Sequence, residues 1–208
     1  MFKKTPSLIL IFMLIGTLQY AWSQTNFKVQ IGQIDSLYSE VLQETREIYI
    51  EFPESFNPDS DTRYPVAYML DGDVMLNALQ TVHSYYSGGF MPEMILIGIS
   101  NAKNRTRDLT TSKLTERRGQ AYDQENGEAD QFTKFIKTEL IPYIEKKYPV
   151  TTYRTLIGHS YAGLFTVNML LKHTDVFANY LAIDPSMDWD EQKLLKESEE
   201  ILSKKSFK

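Results

Sequence analysis

The stretch Thr155-Leu156-Ile157-Gly158-His159-Ser160-Tyr161-Ala162-Gly163-Leu164-Phe165 leaves few folds open. A short apolar, β-prone run meets a turn that carries a serine, and an apolar helix follows at once through Leu171. Such a turn forces its serine into a strained backbone conformation and lifts the hydroxyl clear of a sheet, which is the arrangement of a nucleophile elbow. Small neighbours are needed because the helix starts almost on top of the strand. Gly158 stands two residues before Ser160 and Gly163 three after it, while Ala162 occupies the position where glycine is usual. The helix N-terminus behind Ser160 offers free N–H groups and a positive dipole end to a developing oxyanion. Ser160 is therefore the candidate nucleophile, although a Gly-x-Ser turn can also join a strand to a helix with no chemistry attached.

The N-terminal residues belong to something other than this domain. Lys3 and Lys4 precede the apolar run Leu8–Leu14, and Ala21-Trp22-Ser23 sets small residues at the positions a signal peptidase reads. Residues 1–23 are expected to be a secretory signal peptide, leaving 24–208 as the mature domain. The competing reading, an uncleaved anchor, asks a short apolar run to span a bilayer. Cleavage removes two lysines and no acids, so the formal charge moves from −5 to −7. An acidic exported domain has no electrostatic case for DNA or RNA. The chain holds no cysteine, which excludes disulfides, a thiol nucleophile, cysteine-ligated zinc and a lipidated N-terminal Cys. An extracytoplasmic location, periplasmic or secreted, is expected.

Along the mature chain, Arg46–Phe52 alternates polar and apolar residues and predicts a half-exposed strand. Asp59-Ser60-Asp61 hints at calcium, but an EF-hand count from Asp59 sets Tyr64 at the glycine position and Leu70 at the terminal glutamate position, so no metal site is read there. Pro65–Leu70 and Met94–Ile99 are unbroken apolar runs, as expected of strands covered on both faces. A helix is predicted over 74–83. Residues 101–126 read as a long polar surface excursion, of the kind that is usually functional or mobile. Helical spacing from Ala129 to Ile144 predicts an amphipathic helix over 129–147, kinked at Pro142. Tyr180–Ile183 predicts a strand, and Leu194, Leu195, Ser198, Ile201 and Leu202 mark one face of a helix over 190–204, a crossover whose apolar face is expected to cover a sheet edge. Alternating strands and helices indicate an α/β fold: a mainly parallel sheet with helices on both faces.

Taken in order, several blocks resemble the putative-esterase family of α/β-hydrolases, which includes enterochelin (siderophore) esterases and esterase D-like enzymes. They are Arg63-Tyr64-Pro65-Val66, Leu70-Asp71-Gly72-Asp73, Gly98-Ile99-Ser100-Asn101, Arg105–Thr110, Glu139–Ile144, Tyr153–Ser160 and Ala182-Ile183-Asp184-Pro185-Ser186. The resemblance runs from about Arg46 to Trp189. It implies a serine esterase of the siderophore- or carbohydrate-ester type, acting on a small-molecule ester through an acyl-enzyme, with no cofactor.

Such a mechanism needs a base, an acid to orient it, and oxyanion donors. The backbone N–H of Tyr161 is the expected first donor. The second is expected from the loop after the Asp71 strand, from Asp73 N–H or, second in preference, Gly72 N–H; a simple turn at Asp71-Gly72 is the plainer alternative. The base is harder. This fold orders its residues as Ser, acid, His, yet the chain has only His83, His159 and His173. His159 should point away from Ser160, His173 should cap the helix after the elbow, and His83 lies upstream, so surface or capping roles are expected for all three. The base stays unassigned. Asp184 and Asp188 are the candidate acids. Arg105, Arg107 and Asp108 either touch substrate or, in the favoured reading, pin the excursion through ion pairs.

The domain is therefore expected to lack the C-terminal strands and the histidine of the family, and the 208-residue chain is expected to be inactive by itself. A catalytically dead binding protein is the reading from a different class. The sequence names neither the acyl nor the alcohol part of the substrate, nor the oligomeric state.

Overall fold

The computed structural model describes residues 32–204. The expected signal peptide lies outside the described residues. Strands β1 (Gln33–Ser39), β2 (Glu44–Glu51), β3 (Tyr64–Leu70), β4 (Ile95–Ile99), β7 (Val150–His159) and β8 (Asn179–Ile183) form one sheet in the order β1-β2-β4-β3-β7-β8. From β4 to β8 neighbouring strands run parallel, and β1 and β2 complete the sheet antiparallel. Parallel neighbours need crossovers, and helices supply them. This is the α/β-hydrolase fold.

Alternation along the central strands divides the core into two faces. Val66, Tyr68, Leu70, Ile95, Ile97 and Ile99 face a large cluster with Phe132, Phe135, Ile136, Leu140, Ile144, Phe165 and Met169. These come from α3 (Ala129–Phe135), a π-turn (Ile136–Leu140), α4 (Ile141–Lys147) and α5 (Tyr161–Lys172). Ala67, Met69, Leu96 and Ile157 face the other way, onto Leu76 of α1 (Gly72–Tyr86).

Four expectations are corrected. The helix over 129–147 is not simply kinked at Pro142. It passes through the π-turn just before the proline, where Ile141 N–H bonds the Ile136 carbonyl five residues back. The wider turn absorbs the break that a ring without an N–H imposes. The last helix, α6, spans Lys193–Lys204 and not 190–204, because Asp190, Glu191 and Gln192 all have φ between 49° and 65° and form a left-handed turn. It packs on α5 rather than over a sheet edge: Leu194 is buried with Leu164, Leu171 and Trp189, while Leu195 and Leu202 stay exposed. Finally, the excursion at 101–126 is not merely surface loop. It contains α2 (Arg105–Leu109) and a small hairpin, β5 (Glu116–Arg117) with β6 (Gln120–Ala121), and it buries Asn101, Asp108, Thr110 and Asn126.

Strand β1 escapes the periodicity argument. It is tied down by side chains: Tyr143 and Lys147 of α4 both donate to Asp35 Oδ2 at 2.5 Å, and Ser39 donates to Glu139 at 2.5 Å. At the opposite edge β8 pairs with β7 alone among the described strands, and Leu181 and Ile183 are exposed. Among the described residues no helix is long and apolar enough to cross a membrane.

Candidate active site

Ser160 sits between β7 and α5 with φ 61° and ψ −117°, outside the regions open to L-residues. Three features impose that conformation. A Cβ on Gly158 would lie 2.2 Å from the Ala162 carbonyl oxygen, and one on Gly163 would lie 2.9 Å from Pro185 Cα, so helix, strand and following loop are pressed together. Ala162 is fully buried at this crossing, which explains a small residue there. The end of β8 then holds the turn from both sides. Ser160 N–H donates to the Ile183 carbonyl at 3.1 Å, and the Ser160 carbonyl accepts from Ser186 N–H at 3.0 Å. With its backbone satisfied, the strained residue persists. Tyr161 opens α5, so its N–H has no acceptor within the helix.

The second strand-to-helix junction stands beside it, where β3 meets α1. Asp71 precedes the helix in the left-handed region, φ 52° and ψ 40°. Gly72 lies hard against β4: a Cβ there would come within 2.4 Å of the Gly98 backbone. Gly72 and Asp73 are first-turn residues, whose N–H groups are without intrahelical acceptors. Asn101 stitches the junction to the end of β4. Its Oδ1 accepts from Asp71 N–H at 3.2 Å, and its own N–H donates to Asp73 Oδ1 at 3.3 Å.

Of the three excursion residues, Arg107 and Asp108 belong to a buried network. Arg46 Nη2 meets Asp108 Oδ2 at 2.5 Å, Arg107 meets Glu44 at 2.7 Å and Asp108 at 2.9 Å, and Asn101 Nδ2 donates to Asp108 at 3.2 Å. Arg46, which shares the face of Ile48 and Ile50, is 5% exposed. Arg105 points elsewhere, to Asp71. Burial pushes the Asp71 carboxyl above its ordinary range, and the neighbouring guanidinium pulls against that.

The excursion also covers Tyr161. Arg117, in the hairpin, donates to the Tyr161 hydroxyl, and its guanidinium stands 5.6 Å from the centre of the Tyr161 ring and 5.1 Å from that of Trp189. A cleft of about 400 Å³ opens between the hairpin and the Asp188–Glu191 segment.

None of the three histidines hydrogen-bonds to Ser160 among the described residues. His83 is neither exposed nor a cap: it is buried, its Nε2 accepts from Met94 N–H at 3.0 Å, and burial lowers its pKa. His173 closes α5, and its carbonyl accepts from the Tyr180 hydroxyl at 2.7 Å. The His159 carbonyl faces Arg105 at 3.4 Å. The candidate acids do not meet an imidazole either. Asp188 pairs with Arg118 at 3.0 Å and Arg117 at 3.3 Å, and Asp184 is exposed at the end of β8 with φ 42°.

What stands next to the Ser160 hydroxyl is another serine. Ser186 Oγ lies 3.1 Å from Ser160 Oγ. Sequence reasoning passed over Ser186 as a site residue although it closes the last block of the resemblance; a polar residue just after the strand that neighbours the elbow was the available signal.

The chain belongs to the family described as Putative esterase, which matches residues 39–205. It is 31% identical over 194 residues to the ferri-bacillibactin esterase BesA of Bacillus subtilis, covering 85% of this chain and 66% of that protein. It is 25% identical over 150 residues to the apo-salmochelin esterase of Escherichia coli, covering 67% and 46%. Among solved structures, an IroE-like serine hydrolase from Shewanella oneidensis superposes with a TM-score of 0.78 at 35% identity, over 84% of this chain and 57% of that one. The chain thus spans two thirds or less of the length of these relatives.

Proposed function

We propose that this chain carries the nucleophile of an exported serine esterase that hydrolyses carboxylic esters, of the siderophore type in preference to the carbohydrate type. One observation carries the reading: Ser160 is held at φ 61°, ψ −117° on the turn between β7 and α5, ahead of the free N–H of Tyr161. In the proposed reaction Ser160 Oγ attacks the ester carbonyl and loses its proton to a base. The carbonyl oxygen takes the negative charge and is received by Tyr161 N–H and by Asp73 or Gly72 N–H. Collapse expels the alcohol and leaves an acyl-Ser160, which water then cleaves. Losing one oxyanion donor in such a site costs about 3–4 kcal/mol of transition-state stabilisation. The naming of two relatives as a siderophore enterobactin esterase and a siderophore triacetylfusarinine C esterase supports the substrate class.

A specific observation favours a second reading for the 208 residues taken alone. Among the described residues Ser160 Oγ meets a hydroxyl, Ser186, and no imidazole. A neutral hydroxyl is a poor base, so this chain by itself is expected to turn over esters slowly or not at all, in the manner of a binding protein. The test compares residues 24–208 with the natural gene product on a tri-ester siderophore and on p-nitrophenyl butyrate, each beside its Ser160→Ala variant. Ser160-dependent turnover by the gene product supports the esterase reading, and turnover that survives Ser160→Ala refutes it. Robust Ser160-dependent turnover by residues 24–208 refutes the second reading. Export is tested by the intact mass of envelope or medium protein, which should begin near Gln24.

A further inference from the structure

The two backbone segments proposed to receive the oxyanion hang from different strands. The ladder between β3 and β7 ends at the pair Met69 and Ile157, two residues short of both Asp71 and His159. Beyond that point a side chain bridges the gap. Arg105 Nε donates to Asp71 Oδ1 at 3.0 Å and Oδ2 at 2.9 Å, and its Nη2 lies 2.9 Å from the same Oδ2. The same Nη2 donates to the His159 carbonyl at 3.4 Å. The guanidinium carbon stands 5.2 Å from the centre of the Tyr161 ring, within cation–π range. Asp71 immediately precedes Gly72 and Asp73, His159 immediately precedes Ser160, and Tyr161 immediately follows it. One guanidinium therefore touches the chain on both sides of the nucleophile and at the head of the other donor segment.

We propose that Arg105 is a positioning residue for the hydrolysis described above: by tying Asp71 to His159 and Tyr161, it fixes the distance between the two sets of backbone N–H groups that receive the oxyanion. The inference rests on the esterase reading and deepens it. Preorganised donors lose their value when they drift, and a misplacement of about 1 Å costs on the order of 100-fold in rate. A planar fork can hold a carboxylate and a carbonyl together, which a lysine ammonium cannot do with the same geometry. Arg107, two residues on, is engaged with Glu44 and Asp108 and does not share the role. The excursion thus has two jobs: its buried end anchors it, and Arg105 reaches from it to the site.

The test uses the natural gene product with Arg105→Gln, Arg105→Lys and Ser160→Ala. Arg105→Gln should lower kcat on p-nitrophenyl butyrate by about 100-fold with KM within about twofold. Arg105→Lys should recover part of that loss. A raised KM with kcat unchanged would make Arg105 a substrate contact and overturn the proposal, as would no change in either. Turnover that survives Ser160→Ala would defeat the esterase reading and this inference with it, whereas the Arg105 outcomes just named defeat this inference and leave that reading standing. A second measurement, independent of turnover, is amide hydrogen exchange on residues 24–208. Arg105→Gln and Asp71→Asn should each raise exchange in both the 71–76 and the 158–164 segments, and the double variant should add nothing further. Exchange unchanged, or raised in only one of the two segments, would overturn the proposal.

Discussion

The molecule has two strand-to-helix junctions side by side, each led by a non-glycine residue of positive φ, and they carry that strain differently. Asp71 at the β3–α1 junction lies in the left-handed region, which aspartate tolerates, and its carboxylate is bonded by Arg105. Ser160 at the β7–α5 junction lies outside every region open to an L-residue, and among the described residues its hydroxyl has only Ser186 as a side-chain partner. Strain of the second kind costs roughly 1–3 kcal/mol and is kept only where the surroundings over-determine it. At Ser160 the surroundings are Gly158, Gly163 and the backbone of β8, none of which touches the hydroxyl. The first junction is built to be stable. The second is built to present an atom.

That contrast can be broken from either side. The largest effect is expected at Asp108, which holds Arg46, Arg107 and Asn101, the last of these stitching the Asp71 junction. Asp108→Ala leaves the guanidiniums of Arg46 and Arg107 to share Glu44 and should cost about 3–5 kcal/mol in denaturant unfolding. A loss under 1 kcal/mol would mean that the excursion is not anchored there. The two junction residues come next, with opposite signs. Asp71→Ala removes charge-assisted bonds to Arg105 and should destabilise by about 2 kcal/mol. Ser160→Gly removes the strain at the elbow and should stabilise by about 1 kcal/mol once the backbone entropy of glycine is set against it. Equal losses at both positions would erase the distinction. The smallest effect is a pH dependence confined to the first junction's anchor. Burial pushes the Glu44 carboxyl up, but bonds from Arg107 and the charge of Arg46 outweigh it, so its folded pKa lies below the ordinary 4.5. A depressed carboxylate stabilises the fold above the unfolded pKa and loses that contribution as pH falls through the folded one. Melting temperature should therefore fall from pH 6 to pH 3.5 less steeply in Glu44→Gln than in the parent protein, and parallel profiles would contradict this.

Much of the fold was legible because its strands are buried on both faces. Runs such as Pro65–Leu70 and Met94–Ile99 can satisfy their apolar content in few other ways. The elbow was legible for a steric reason, since glycine at 158 and 163 signals close approach before any coordinates exist. Edge strand β1 was not, because its residues alternate at the rim of the sheet, with Ile34 and Tyr38 exposed, and its anchors, Tyr143, Lys147 and Glu139, lie about 100 residues away. Alternation sets Arg46 on the face of Ile48 and Ile50, but the partner that lets a charge be buried there, Asp108, lies 62 residues away. Local pattern also cannot separate Arg105 from Arg107. Two residues apart, they leave one short helix on roughly opposite sides, and only the tertiary fold decides which meets the elbow.

The claim on which the rest depends is that the strain at Ser160 presents a nucleophile. Its most direct measurement is covalent: the natural gene product is treated with a fluorophosphonate, and the adduct is read by intact mass and located by peptide mapping. A single adduct on Ser160 that disappears in Ser160→Ala is the predicted result. An adduct of undiminished amount in Ser160→Ala, or one mapped to Ser186 in the parent protein, would contradict the account.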